Sequence, residues 1–152
     1  MRCLELILLC LAVFLVALLM AYQPARGAEF RPLTREEPIV RMVLQEAANE
    51  PFAGQIAVAG VAFDRMKDRR WPSTDRDVVY QPAQFTGMEI RLRQYSETQI
   101  KRARAAVVAA LIGTRICGTV LWYHTVDIKP SWRKRLTRRC RIGAHIFYGD
   151  AK

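Results

Sequence analysis

Three helical patterns followed by two strand-like stretches predict an α+β domain, mostly helical with a short antiparallel sheet, behind an N-terminal hydrophobic segment. The helical patterns fall at residues 38–48, 52–68 and 96–112, and the alternating stretches at 118–124 and 145–148. The chain has 152 residues, which leaves room for one domain after the apolar segment.

The first element is an unbroken apolar run from Leu6 to Tyr22, preceded by Arg2 and followed by Gln23-Pro24-Ala25-Arg26-Gly27-Ala28. Its position and the small residues Ala25 and Gly27 suit an export signal cleaved after Gly27. As a helix the run would reach roughly 26 Å against a hydrocarbon core of about 30 Å, so retention as a signal anchor through residues 6–22 stays open beside cleavage. Residues 1–27 are therefore set apart as a signal peptide or signal anchor, 28–37 read as a tether, and 38–150 as the domain. Removing 1–27 lowers the formal net charge from +10 to about +9. A domain this basic favours anionic polymers or membrane surfaces. With an export segment the expected location is the periplasm or cell envelope, where nucleic acid is not an expected partner.

Pro38 suits a first helical position behind Glu36 and Glu37. Ile39, Val40, Met42, Val43, Leu44 and Ala47 then form an apolar face. Asn49 is expected to end this helix in the left-handed conformation, and Pro51 prevents simple continuation. In the second helix Gly54, Ala57, Ala59, Gly60 and Ala62 leave a slim surface, so packing must supply most of its stability. Trp71-Pro72 and Ser73-Thr74-Asp75 read as loop, and Val78-Val79-Tyr80 as a short extended piece, in a connection too long to be idle. Ser96 and Gln99 form a capping pair for the third helix, which ends at Gly113. Gly118 to His124 alternates as a strand, with His145 to Tyr148 as its partner and a basic excursion through Pro130 and Trp132 between them.

Glu46 is the leading candidate for chemistry. A carboxyl group flanked by apolar residues loses solvation, which favours the protonated acid that general acid catalysis needs. On helical pattern alone the commoner reading is a solvated glutamate in a last helical turn. Glu50 lies four residues on, but the turn at Asn49 breaks the helical register that two-carboxylate glycoside chemistry would require. Asn49 and Glu50 are therefore read as turn residues, with Glu50 holding the loop or capping the second helix. His124 and His145 are the two imidazoles of the chain, and with Gln84, Phe85, Tyr123, Trp132 and Tyr148 they could line a sugar groove. The competing reading is core packing, expected for at least half of the aromatic residues.

Arg133, Lys134, Arg135, Arg138, Arg139 and Arg141 form a dense basic run across residues 133–141. It reads either as a solvated face or as a surface attracted to anionic envelope polymers or a membrane. Cys117 and Cys140 remain once the apolar segment, with Cys3 and Cys10, is set aside. In an oxidising compartment they suit one disulfide worth about 3.5 kcal/mol on the chain-entropy model; two separate, partly buried thiols are the alternative. No Cys/His spacing resembles a zinc site, and no metal ligand set is assigned.

Three separated segments match one pattern in the correct order. Glu46-Ala47, Glu50-Pro51 and Gly54-Gln55-Ile56-Ala57-Val58-Ala59 resemble the opening motif of SleB-type cell wall hydrolases, the spore-cortex-lytic family and its relatives. Val78 to Phe85 resembles the middle motif of that family. Tyr123-His124, Pro130, Trp132 and Ile142 to Tyr148 resemble its closing section. The resemblance covers roughly residues 38–148. It implies a small lysozyme-related, lytic-transglycosylase-like domain acting on peptidoglycan glycan strands, with Glu46 as a single acid/base and no metal or organic cofactor. An N-acetylmuramidase or phage endolysin of the same fold, or a catalytically weak wall-binding envelope protein, are the other readings. The family usually carries Arg-Gly between the two glutamates, where this chain has Ala48-Asn49, and Asn-Arg where it has Asp64-Arg65.

Overall fold

A computed structural model of the chain describes residues 37–85 and 94–151. The export-segment and tether assignments for residues 1–36 lie outside the described residues. Within them the order is α1 (Pro38–Ala47), α2 (Phe52–Lys67), α3 (Asp75–Val79), α4 (Glu97–Leu111), β1 (Trp122–Thr125), a 3-10 turn (Ser131–Arg135), β2 (Leu136–Ile142) and β3 (His145–Asp150). The helices cluster together and the three strands form one antiparallel sheet, which is the predicted α+β arrangement.

Pro38 does occupy the first turn of α1, and Arg41 N–H closes that turn on Glu37 O at 3.0 Å. Ile39, Val40, Met42, Val43, Leu44 and Ala47 are all buried. The helix does not end through a left-handed Asn49. Ala83 is the one non-glycine residue with positive φ among those described. Instead Ala48 stays right-handed and Glu50 N–H bonds Ala47 O at 3.0 Å, so a tight right-handed turn suffices. Asn49 acts as a tether, its Oδ1 accepting from Gln99 Nε2 of α4 at 3.2 Å. The carbonyls left over at the end of α1 are met by Gln55, whose buried Nε2 donates to Ala47 O at 3.0 Å and to Ala48 O at 3.2 Å.

α2 is buried from Gly54 through Ala62, in keeping with its small side chains, and packs against α1, α3 and α4. Where an extended piece was expected, residues 75–79 form α3. Thr74 Oγ1 accepts from Asp77 N–H at 3.2 Å, and Asp75 and Asp77 sit in the positive first turn. This local cap overrides the β preference of Val78 and Val79, which are fully buried. α4 starts with the expected capping box between Ser96 and Gln99. It stops at Gly113 (φ 103°), where Thr114 N–H reaches back to Ala109 O at 3.0 Å and Gly113 N–H to Ala110 O at 3.1 Å.

The sheet order is β1-β3-β2. β1 begins later than expected because the residues before it are committed to α2. Asp64, buried, accepts from Val120 N–H at 3.0 Å and from Arg115 Nε at 2.7 Å; Arg65 Nε donates to Leu121 O at 2.8 Å. Cys117 and Cys140 form a disulfide with Cα atoms 5.7 Å apart, joining the same loop to β2. β2 corrects the reading of the basic run as a loop excursion. A sheet-edge strand tolerates long cationic side chains in solvent, and a bulge between Arg138 and Cys140 breaks the alternation that would have revealed it.

Candidate active site around Glu46

Glu46 stands in the last turn of α1, half-buried, and faces the sheet. Tyr123 of β1 donates its hydroxyl to Glu46 Oε2 at 3.1 Å. Burial, reinforced by the neighbouring carboxylate and this hydrogen bond, holds the Tyr123 phenol well above its ordinary pKa, so it remains a donor throughout the neutral range. A hydrogen bond to a charged acceptor is worth about 1.5–3 kcal/mol and orients the carboxyl group as well as stabilising it.

Rings hold Tyr123 in place. Phe85 stacks on it at 6.4 Å, Phe147 lies at 5.7 Å, and His145 meets it edge-on at 5.1 Å. The Arg65 guanidinium sits 4.0 Å from the Trp71 ring centre and 5.2 Å from that of Phe85. Burial lowers the Arg65 pKa to about 10, while Tyr123 acts to raise it; the group stays cationic at neutral pH. In the sequence Gln55 and Arg65 appear only inside family-like segments, Gln55 in the opening motif and Arg65 in the Asp64-Arg65 pair, and neither is assigned a role in the site there.

Glu50 is tied to the turn between β2 and β3. Its Oε2 accepts from Ala144 N–H in the β2–β3 turn at 3.1 Å. Its Oε1 lies 3.9 Å from His145 Nδ1, too far for a hydrogen bond. His145 is buried, and desolvation pulls its pKa below 6.5 against the opposing pull of Glu50. At neutral pH the His145 imidazole is therefore neutral, and its approach to Glu50 is not a salt bridge.

The proposed sugar-groove residues divide between two faces of the sheet. Tyr123 lies across from Phe147, and Thr125 across from His145, so Tyr123 and His145 share the helix-facing side with Glu46. His124 and Tyr148 point the other way, where Trp132 packs edge-on against both at 5.7 Å. Phe85 joins the Glu46 side but is nearly buried, whereas Gln84 is exposed. The two histidines thus do not line one groove. Among the described residues no group of three or more His, Cys, Asp or Glu is placed to hold a metal ion, and no helix is long and apolar enough to cross a membrane.

The profile of the Cell Wall Hydrolase family matches residues 49–148, starting just after Glu46. The spore cortex-lytic enzyme of Halalkalibacterium halodurans is 34% identical over 110 residues, 72% of this chain and 33% of that protein. That of Bacillus subtilis is 33% identical over 113 residues, 72% of this chain and 35% of that protein. The chain thus spans about a third of the length of these curated relatives. Among solved structures, it is similar to the catalytic domain of the germination-specific lytic transglycosylase SleB from Bacillus anthracis. The TM-score is 0.62 at 29% identity, covering 75% of this chain and 95% of that one. The catalytic domain of the Bacillus cereus SleB protein matches with the same TM-score of 0.62 at 27% identity, over 82% of this chain and 99% of that one. Fold, matched segment and identity agree: the chain belongs to the cell wall hydrolase family.

Proposed function

We propose that this chain cleaves peptidoglycan glycan strands as a lytic transglycosylase, with Glu46 as its single acid/base. The observation that carries the reading is Glu46 at the end of α1, held by Tyr123, in a chain of the cell wall hydrolase family. The naming of a similar solved domain as a lytic transglycosylase supports the reaction type.

In the first step the Glu46 acid protonates the oxygen joining N-acetylmuramic acid to N-acetylglucosamine, and the glycosidic bond breaks as that oxygen leaves. The Tyr123 hydroxyl then donates to the carboxylate just formed. In the second step this carboxylate takes the proton of the muramic C6 hydroxyl, whose oxygen bonds to C1 and closes a 1,6-anhydro ring. Glu46 ends protonated, ready for the next cycle. The nucleophile belongs to the substrate, so no second carboxylate is required, and Glu50 is engaged with the β2–β3 turn.

Site of action follows from the substrate: the chain works in the cell envelope, either released after cleavage near Gly27 or anchored in the membrane by residues 6–22. The basic residues of 133–141 draw the domain to anionic envelope polymers or a membrane surface. Digestion of purified peptidoglycan followed by mass spectrometry of the products tests the reaction. Anhydro-muramic ends are expected; reducing muramic ends would replace this reading with a hydrolytic muramidase.

A further inference from the structure

The face of the sheet turned away from Glu46 carries its own clefts. Trp122 and Arg138 lie across from Tyr148 on either side, and His124 lies across from Ile146. Directly opposed residues share a face, so all five project away from the helices. One cleft of about 310 Å³ has Val126, Leu136 and Ile146 for its apolar lining and Lys129, Arg133 and Arg138 for its cations. A second, of about 220 Å³, is bounded by Trp122, Trp132, Arg70 and Arg135. Leu136 belongs to both, and the Trp132 ring of the second abuts the His124 and Tyr148 rings of the first. Together they form a trough.

His124, Tyr148 and Trp132 form one ring cluster. His124 Nδ1–H donates to Thr125 O at 2.7 Å, which leaves Nε2 to accept from the Tyr148 hydroxyl at 3.0 Å. Both nitrogens of a neutral ring are thereby used. Five cations line the trough against one carboxylate, Asp150. Arg70 is already paired with Asp150 at 2.7 Å and with Asp68 at 2.6 Å, so the positive charge on offer comes from Lys129, Arg133, Arg135 and Arg138. Arg133 Nε is buried without a hydrogen-bond partner among the described residues. Trp122 and Trp132 are only partly buried beside these cations, whereas His124 and Tyr148 are buried. Two part-open indole rings among cations fit a sugar chain bearing anions at intervals better than a single ion. The apolar lining beside forked guanidinium groups suits short peptides that carry methyl side chains and end in carboxylates.

We propose that this trough is a second binding site, taking a peptide-bearing peptidoglycan strand through the carboxylates of its stem peptides while Glu46 works elsewhere on the polymer. The proposal rests on the wall-glycan reading above and adds a holding site to it. Its test is co-sedimentation of the full-length Glu46→Gln chain with insoluble peptidoglycan. The added triple change Lys129→Gln, Arg133→Gln, Arg138→Gln is expected to weaken binding about tenfold. A control with the same charge loss outside the trough, Lys67→Gln and Lys101→Gln on the helices and Arg69→Gln in the turn after α2, should stay within about twofold. Soluble peptide-bearing strands should compete, and amidase-stripped strands should compete at least about fivefold less. Equal weakening in both triple variants reduces the effect to overall charge and overturns the site. So does equal competition by stripped strands, or stronger competition by a phosphate-bearing polyanion. With Glu46 intact, the trough variant should cleave short soluble glycan fragments at the parent rate; a tenfold fall would make the trough part of the catalytic groove and overturn its separateness. Sedimentation is read without cleavage, so failure of the enzyme reading appears separately, as binding with no released product from the Glu46-intact chain.

Discussion

Tyr123 fixes the Glu46 carboxyl group against β1, and this contact is what supports the proposal that Glu46 is the acid. The carboxylate was visible in the sequence because it sits at the end of a helix just before Asn49-Glu50-Pro51. Its partner was visible only as an aromatic on a strand 77 positions away, and nothing local tells which carboxylate such a phenol will meet. Tyr123→Phe keeps the ring contacts with Phe85, Phe147 and His145 and removes only the donor. It is expected to lower kcat roughly 10- to 100-fold with little change in KM, measured as initial rates on soluble glycan fragments. An unchanged kcat would remove Tyr123 from the chemistry. His145 gives a second, independent expectation. Burial lowers its folded pKa below 6.5, so the unfolded chain binds more protons between that lowered value and 6.5. Stability from this residue is complete above about pH 6.5 and declines as pH falls through 6.5 toward the folded pKa. Thermal unfolding from pH 8 to 5 should show this decline, and His145→Gln should flatten it; an identical slope in the variant counts against the burial argument.

At the scale of elements, two turns far apart in sequence are pinned to each other. Glu50, leaving α1, accepts from Ala144 in the turn between β2 and β3, and Gly143 there has a φ of 54°. A Cβ at Gly143 would collide with the Glu50 carboxylate as well as occupy the left-handed region. Gly143→Ala should therefore cost about 2–3 kcal/mol, read as a lower urea midpoint with unchanged m-value. A loss below about 0.5 kcal/mol would mean that the turn and Glu50 are not coupled. The elements that were legible are those with strong local signals: Pro38, the Ser96–Gln99 box and Gly113 mark real helix ends. The elements that were not legible had local signals of the wrong kind. β2 hides under arginines because an edge strand can hold them in water, and α3 hides because the Thr74 cap outweighs two valines. Gln55 reads as an ordinary helix residue until the carbonyls of Ala47 and Ala48 are seen beneath it.

Across the whole molecule the sheet separates two surfaces. Helices and Glu46 occupy one side with Tyr123 and His145; the other side carries His124, Tyr148, Trp132 and, from the basic run, Arg133, Arg135 and Arg138. The residues expected in one sugar groove were recognised as a set, but strand parity assigns alternate members to opposite faces. The unusual Ala48-Asn49 pair no longer needs a left-handed turn, since Ala48 is right-handed and Asn49 tethers α4. Family membership and fold thus stand on the entire domain, whereas the proposed reaction stands on Glu46. The most direct test is muropeptide mass spectrometry after digestion of purified peptidoglycan with the parent chain and with Glu46→Gln at equal folded concentration. The account predicts 1,6-anhydro-muramic products from the parent and a loss of at least about 1,000-fold in the variant. Undiminished anhydro product from Glu46→Gln would contradict it.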